Sequence, residues 1–251
     1  CIRDRGKADV KFTARSNGGH ASTPVKGTPI ARLSAFVNEV ETHSPFRKKM
    51  LPEVSAMFTA LAPYAGFGMK LVFGNLWLFG PLLKAVMPSL SAQAGAMLKT
   101  TIAFTVQKGS DAYNVLPQEA YVGANMRFIP HQGEKESLEI IKKVADKYGL
   151  ETEVLHANDY TPPVDIHGEA FHLVEQTIAD TFPGLPSSPY VMTGATDAQF
   201  YQPICKSCIR FAPVIYGPEQ MKGMHGLNEN IEYNCLPGAV RFYKNLIRAE
   251  K

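Results

Sequence analysis

Two settings in this 251-residue sequence could hold chemistry: His20, within Gly18-Gly19-His20-Ala21-Ser22-Thr23-Pro24, and the pair Cys205-Lys206-Ser207-Cys208. An imidazole can donate, accept or move a proton near neutral pH. The two glycines before His20 permit positive φ and close backbone approach, while Pro24 and Pro29 stop a strand and pre-set entry into a helix. His20 is therefore held at the mouth of a turn. The plainer reading is a surface turn in which Ser22 or Thr23 caps or braces the backbone. The cysteine pair has metal or redox spacing, but no second pair follows, and Ile209-Arg210-Phe211 reads as a strand where a redox motif would open a helix. With Cys1 and Cys235 the only other thiols, no disulfide framework is implied.

The elements around His20 follow from hydrophobic period. Lys7 to Arg15 alternates through Ala8, Val10, Phe12 and Ala14, as a half-buried strand does, and Ile30, Leu33, Phe36, Val37 and Val40 then recur at helical spacing from Thr28 to about Thr42. Residues 46–97 form a helical block punctuated by Pro52, Pro63, Pro81 and Pro88; it either packs a small core of its own or lines a substrate entrance. Strand patterns at 99–107 and 119–128 are joined by Tyr113-Asn114-Val115-Leu116-Pro117. A helix through Ser137, Leu138, Ile141, Val144 and Ala145 stops at Gly149, and a last strand covers 151–156. The order β-α-insertion-β-β-α-β is that of a split βαβ sandwich. Beyond Asp159-Tyr-Thr-Pro-Pro-Val164 the pattern changes. It reads as a helix to Phe182, short strands at 190–192 and 209–211, a small-residue turn at 193–197 with Asp197 placed to cap a helix, and a closing helix from Pro237 to Arg248. Two strands and two long helices are half of an α/β layer structure and cannot close a core alone.

Composition narrows the function classes. The net charge of +3 comes from 26 basic and 23 acidic residues, and only Arg47-Lys48-Lys49 clusters, so no nucleic-acid face is expected. At 45% hydrophobic and 20% charged the chain reads as a globular protein. Its most apolar stretch, residues 71–87, is broken by Gly74, Asn75, Gly80, Pro81 and Lys84, too often to span a bilayer. The sequence opens at Cys1 rather than at a methionine, so further residues are expected upstream.

Five segments in order carry a resemblance: Gly18-Gly19-His20-Ala-Ser-Thr-Pro24, Tyr113-Asn114-Val-Leu-Pro117, Met126-Arg127-Phe-Ile-Pro130, Thr193-Gly194-Ala-Thr-Asp197 and Met224-His225-Gly-Leu-Asn-Glu229. The chain resembles the dizinc metallopeptidase and amidohydrolase family of aminoacylase, carboxypeptidase S and glutamate carboxypeptidase. It is most similar to the carboxypeptidase S and N-acyl amino acid hydrolase branch.

That resemblance implies an α/β fold with an α+β lid: a ferredoxin-like, four-stranded antiparallel sheet with two helices and a helical insertion at about 46–97, spanning residues 7–158 and also serving dimerisation. Residues 1–6 and 159–251 would be the C-terminal part of an α/β zinc-exopeptidase domain. It implies a catalytic role for His20, polarising a scissile carbonyl in the partner subunit of a homodimer. Asn114 and Arg127 would hold substrate, Arg127 gripping a free carboxylate, and Gly194 would offer a backbone donor. His225 matches a metal ligand. The remaining ligands of a two-zinc centre belong to a region upstream of the lid that this sequence does not contain, so the chain by itself would lack most of the site. The implied substrate is a peptide or N-acyl amino acid. The alternative is a non-catalytic dimerisation or binding module built from the same pieces.

Overall fold

The computed structural model describes residues 1–224 and 226–250. Strands β1 (Gly6–Arg15), β3 (Thr101–Lys108), β5 (Glu119–Phe128) and β6 (Glu151–Asn158) form one antiparallel sheet in the order β3-β5-β1-β6. A second, two-stranded ribbon pairs β2 (Gly19–His20) with β4 (Val115–Leu116). Alternation builds the core of the main sheet. Ala8, Val10, Phe12 and Ala14 of β1 and Ala120, Val122, Ala124, Met126 and Phe128 of β5 point to one face and are buried, while Lys7, Asp9, Asn125 and Arg127 point to the other.

Two helices cover the buried face. In α1 (Pro29–Thr42) Thr28 caps the first turn by accepting the Ala31 N–H at 3.4 Å, and Leu33, Phe36 and Val40 turn inward. The Phe36 ring lies 4.7 Å from Phe12 and 5.6 Å from Phe104, binding helix to sheet. The second helix, α6 (Glu134–Lys147), buries Ile141, Val144 and Ala145 and has Glu134 and Glu136 in its first turn and Lys147 in its last, favourable to its dipole. Gly149, at φ +62°, ends it in the left-handed conformation that a glycine adopts without cost. This is the ferredoxin-like sandwich expected from the sequence.

The block after α1 folds as α2 (Pro52–Leu61), a 3₁₀ turn at Ala62–Tyr64, α3 (Phe67–Gly74), α4 (Leu76–Leu90) and α5 (Ala92–Ala96). Its core is only partly its own. Leu83, Met87 and Leu98 pack together, but Leu51, Val54 and Met57 join Ile2, Ile129, Val164, Phe171 and Val191 in a cluster that ties the insertion to the two ends of the chain.

Residues 1–5 run extended beside the segments after β6. Ile2 N–H donates to the Tyr190 carbonyl at 2.8 Å, Met192 N–H to Arg3 at 3.3 Å and Val164 N–H to Ile2 at 2.9 Å. The remaining helices are α7 (Glu169–Thr181), α8 (Ala198–Tyr201), α9 (Pro218–Gly223) and α10 (Leu236–Ala249). Two local expectations are corrected. Residues 209–211 form no regular strand, because Ile209 N–H turns back to Ser207 and Val214 N–H to Ala212, breaking the extended run on both sides. Asp197 makes no capping hydrogen bond; its own φ of −65° and ψ of −10° are already helical, and Thr196 Oγ1 accepts the Ala198 N–H instead.

Candidate functional site

At the Arg15 end of the sheet the ribbon places two of the sequence candidates side by side. His20 lies opposite Val115, and Ala21 N–H donates to the Asn114 carbonyl at 3.0 Å, so the His20 turn and the Asn114 loop are stitched through backbone. Gly18 (φ +70°) and Gly19 (φ +147°) supply the backbone conformations that swing His20 out of β1. Both His20 and Asn114 are exposed. Among the described residues the His20 ring is held from one side: Nδ1 lies 2.7 Å from Ser22 Oγ and accepts the Ser22 N–H at 3.2 Å. An Nδ1 that accepts puts the proton of the neutral ring on Nε2, which is then a donor.

Arg127 stands at the opposite end of the same sheet, between Lys7 of β1 and Thr101 of β3. Its Nε donates to Asn125 Oδ1 at 2.8 Å, and Asn125 Nδ2 donates to Asp9 Oδ1 at 2.6 Å. The guanidinium is thereby held by its ε edge. The two η nitrogens, which carry no hydrogen bond among the described residues, keep the fork that fits a carboxylate. Next to it Arg5 donates through Nη2 to the Ala96 carbonyl at 2.7 Å; burial lowers its pKa to about 10, with the positive charges of Arg127 and Arg3 adding to the effect. Arg5 N–H donates to the Gly194 carbonyl at 3.0 Å, which brings the 193–197 turn to this end. That turn is pinned from below by the buried Asp4, whose Oδ2 accepts from Thr196 Oγ1 at 2.7 Å and from Arg210 Nη2 at 3.0 Å.

Two pairs result, His20 with Asn114 and Arg127 with Gly194, and one chain does not bring the pairs together. Eight residue steps of β1 lie between Lys7 and Arg15, roughly 26 Å of strand. The sequence reading missed Asp9 and Asn125. The signal was there: Asn125 and Arg127 sit two apart on one strand face, and the β1–β5 register then sets Asp9 opposite Asn125. His225 lies outside the described residues, and among the described residues no three His, Cys, Asp or Glu side chains gather as a metal-binding group. Among the described residues there is thus no complete seat for zinc. The four cysteines are free, with Cys208 Sγ turned to the Cys205 carbonyl at 3.3 Å. An apolar cavity between α7 and α10, lined by Phe182, Leu185, Phe211, Pro237 and Gly238, contains none of the candidate residues.

A ferredoxin-like sandwich with an interposed helical block, packed beside a layer of helices and short extended segments, is the class of structure that these elements define. The profile of Peptidase family M20/M25/M40 matches residues 14–249, and the chain belongs to that family. It is 32% identical over 253 residues to the N-fatty-acyl-amino acid synthase/hydrolase PM20D1 of Xenopus tropicalis, covering 98% of this chain and 48% of that protein. A probable carboxypeptidase S-like 2 of Dictyostelium discoideum is 26% identical over 248 residues, covering 98% and 47%. The M20 family metallo-carboxypeptidase Sso-CP2 of Sulfolobus solfataricus shares the fold, with a TM-score of 0.57 at 14% identity over 99% of this chain and 59% of its own. The chain spans about half the length of the curated relatives it matches.

Proposed function

We propose that this chain is the lid and the C-terminal part of the catalytic domain of a metal-dependent hydrolase that cleaves the amide bond of peptides or N-acyl amino acids bearing a free carboxylate. Membership of the family and the carboxypeptidase and N-acyl amino acid hydrolase names of its relatives support the reaction class. The proposed division is residues 7–158 as lid and dimerisation domain and residues 1–6 and 159–251 as catalytic-domain part.

In this reading Arg127 binds the substrate carboxylate through its η nitrogens, and the Gly194 turn borders the same end. His20 donates from Nε2 to the carbonyl oxygen as negative charge grows there, an interaction that strengthens toward the transition state and so raises kcat. Asn114, exposed beside it, offers an amide to the same substrate. The metal, proposed as two zinc ions with His225 among their ligands, would supply an activated water and a Lewis acid in the intact protein.

The observation that carries the proposal is the separation of the two pairs by the length of the sheet. A homodimer joined through its lids resolves it, with His20 and Asn114 crossing to the site that holds the partner's substrate while Arg127 serves its own chain. Subunit mixing of the intact protein tests this. His20→Ala and Arg127→Ala homodimers are each expected to be impaired, and after dissociation and reassociation the mixture should regain about a quarter of wild-type activity, half of the dimers each having one whole site. No recovery in demonstrated heterodimers would show that His20 and Arg127 act within one chain or not at all.

A further inference from the structure

The helical block carries an apolar face that the proposed hydrolysis does not use. Helix α4 stays apolar where it meets solvent: Leu83 and Met87 turn inward, while Leu78, Leu82, Val86 and Leu90, a row at four-residue steps, are 41–65% exposed. A helix against water places polar residues on such a row. Phe67 is 88% and Trp77 80% exposed, and Met69 and Leu71 of α3 are exposed as well. No acidic residue occurs in residues 54–110, in a chain that has 23, whereas Lys70, Lys84, Lys99 and Lys108 do. Among the described residues neither Lys70 nor Lys84 forms an ion pair.

We propose that the α3–α4 face docks on the surface of an anionic phospholipid bilayer, lying in the interface without crossing it. Length excludes a span by either helix: α4 has 15 residues and α3 has 8, against roughly 20 for a bilayer, and the pair is bent by 109°. The chemistry fits the boundary layer. Tryptophan and lysine flank an apolar ridge, the rings entering the headgroup region while ammonium groups reach lipid phosphates and carboxylates. A second copy is the poorer occupant, because a two-fold contact would set the same unpaired lysines together without bringing an anion to them.

Trp77, the only tryptophan in the sequence, reports the docking. With vesicles of equal parts phosphatidylcholine and phosphatidylserine its emission should shift to the blue and the protein should float with the lipid. With phosphatidylcholine alone both effects should be weak, and salt should reverse the difference. Lys70→Gln with Lys84→Gln should reduce partitioning into the anionic vesicles about thirtyfold, and Phe67→Glu with Leu78→Glu should abolish flotation. All four side chains lie outside the buried cores, so unchanged circular dichroism and melting separate lost docking from lost folding. The proposal is overturned if wild-type protein neither floats nor shifts. It is equally overturned if the shift follows protein concentration without lipid, which marks a second copy on this face. In any longer protein that contains this chain, failure to float together with protection of Phe67 and Leu78 from solvent labelling would overturn the proposal by showing the face covered.

Discussion

Asn125 links Asp9 and Arg127, accepting from the arginine Nε at 2.8 Å and donating to the aspartate at 2.6 Å across the β1–β5 ladder. An arginine side chain has much rotamer freedom to lose, so fixing it before substrate arrives lowers the entropic cost of binding. If Arg127 grips the substrate carboxylate as proposed, Arg127→Ala in the intact protein should lose about 2–5 kcal/mol of substrate binding and with it any preference for free acids over amides. Asn125→Ala should lose about 1 kcal/mol, as a rise in KM with the acid preference kept. Equal rates of wild type on acids and amides would refute the assignment of Arg127.

His20 is braced at Nδ1 by Ser22, which leaves Nε2 as the donor. If His20 donates to the carbonyl oxygen as proposed, an interaction of the transition state, His20→Ala should lower kcat of the intact protein about 10²–10³-fold with KM nearly unchanged. Ser22→Ala keeps the backbone N–H that fixes the ring and should stay within about tenfold of wild type. A His20→Ala enzyme with normal kcat would remove the residue from the reaction.

The outer strands β3 and β6 leave backbone groups unpaired on their far edges. Light scattering is expected to show a dimer of the chain. Thr105→Pro in β3 or Leu155→Pro in β6, each placed where the register skips a residue, should dissociate it if that edge is the interface. A dimer indifferent to both prolines would place the contact elsewhere.

Phe36 is fully buried against Phe12, Phe104 and Tyr148. Phe36→Ala should cost about 3–5 kcal/mol in urea unfolding, through lost burial and the cavity left between α1 and the sheet. A loss below about 1 kcal/mol would mean that the site collapses to fill the space.

Glu39 accepts from the Tyr148 hydroxyl and, at 3.0 Å, from Lys147 Nζ. The tyrosine bond, first, and the lysine bond hold its carboxyl below the usual glutamate range. The sign follows: the stabilisation is present above the ordinary glutamate pKa and is lost as pH falls through the lowered value. Glu39 should titrate upward by NMR in Tyr148→Phe, and an unmoved titration would show that the hydroxyl does not donate to it in solution.

The sequence by itself determined the sandwich and the family. Period two in Lys7 to Arg15, the helical stripe of Leu33, Phe36 and Val40, and the stop at Gly149 are local, because side-chain alternation and a left-handed glycine need no distant partner. The motifs around His20, Asn114, Arg127 and Gly194 were likewise legible, as residue types in order. Only tertiary structure decided how they group. Residues 20 and 114 meet because β2 pairs with β4, and Arg127 is set at the far end because β5 runs antiparallel to β1. Register between segments a hundred residues apart depends on which faces bury together, and one residue of slip would turn Asn125 away from Asp9. The same dependence explains the two corrected elements. The extended run at 209–211 and the cap at Asp197 rested on local pattern alone; backbone turns at Ser207 and Ala212 and the Thr196 hydroxyl, itself donating to the distant Asp4, took their place.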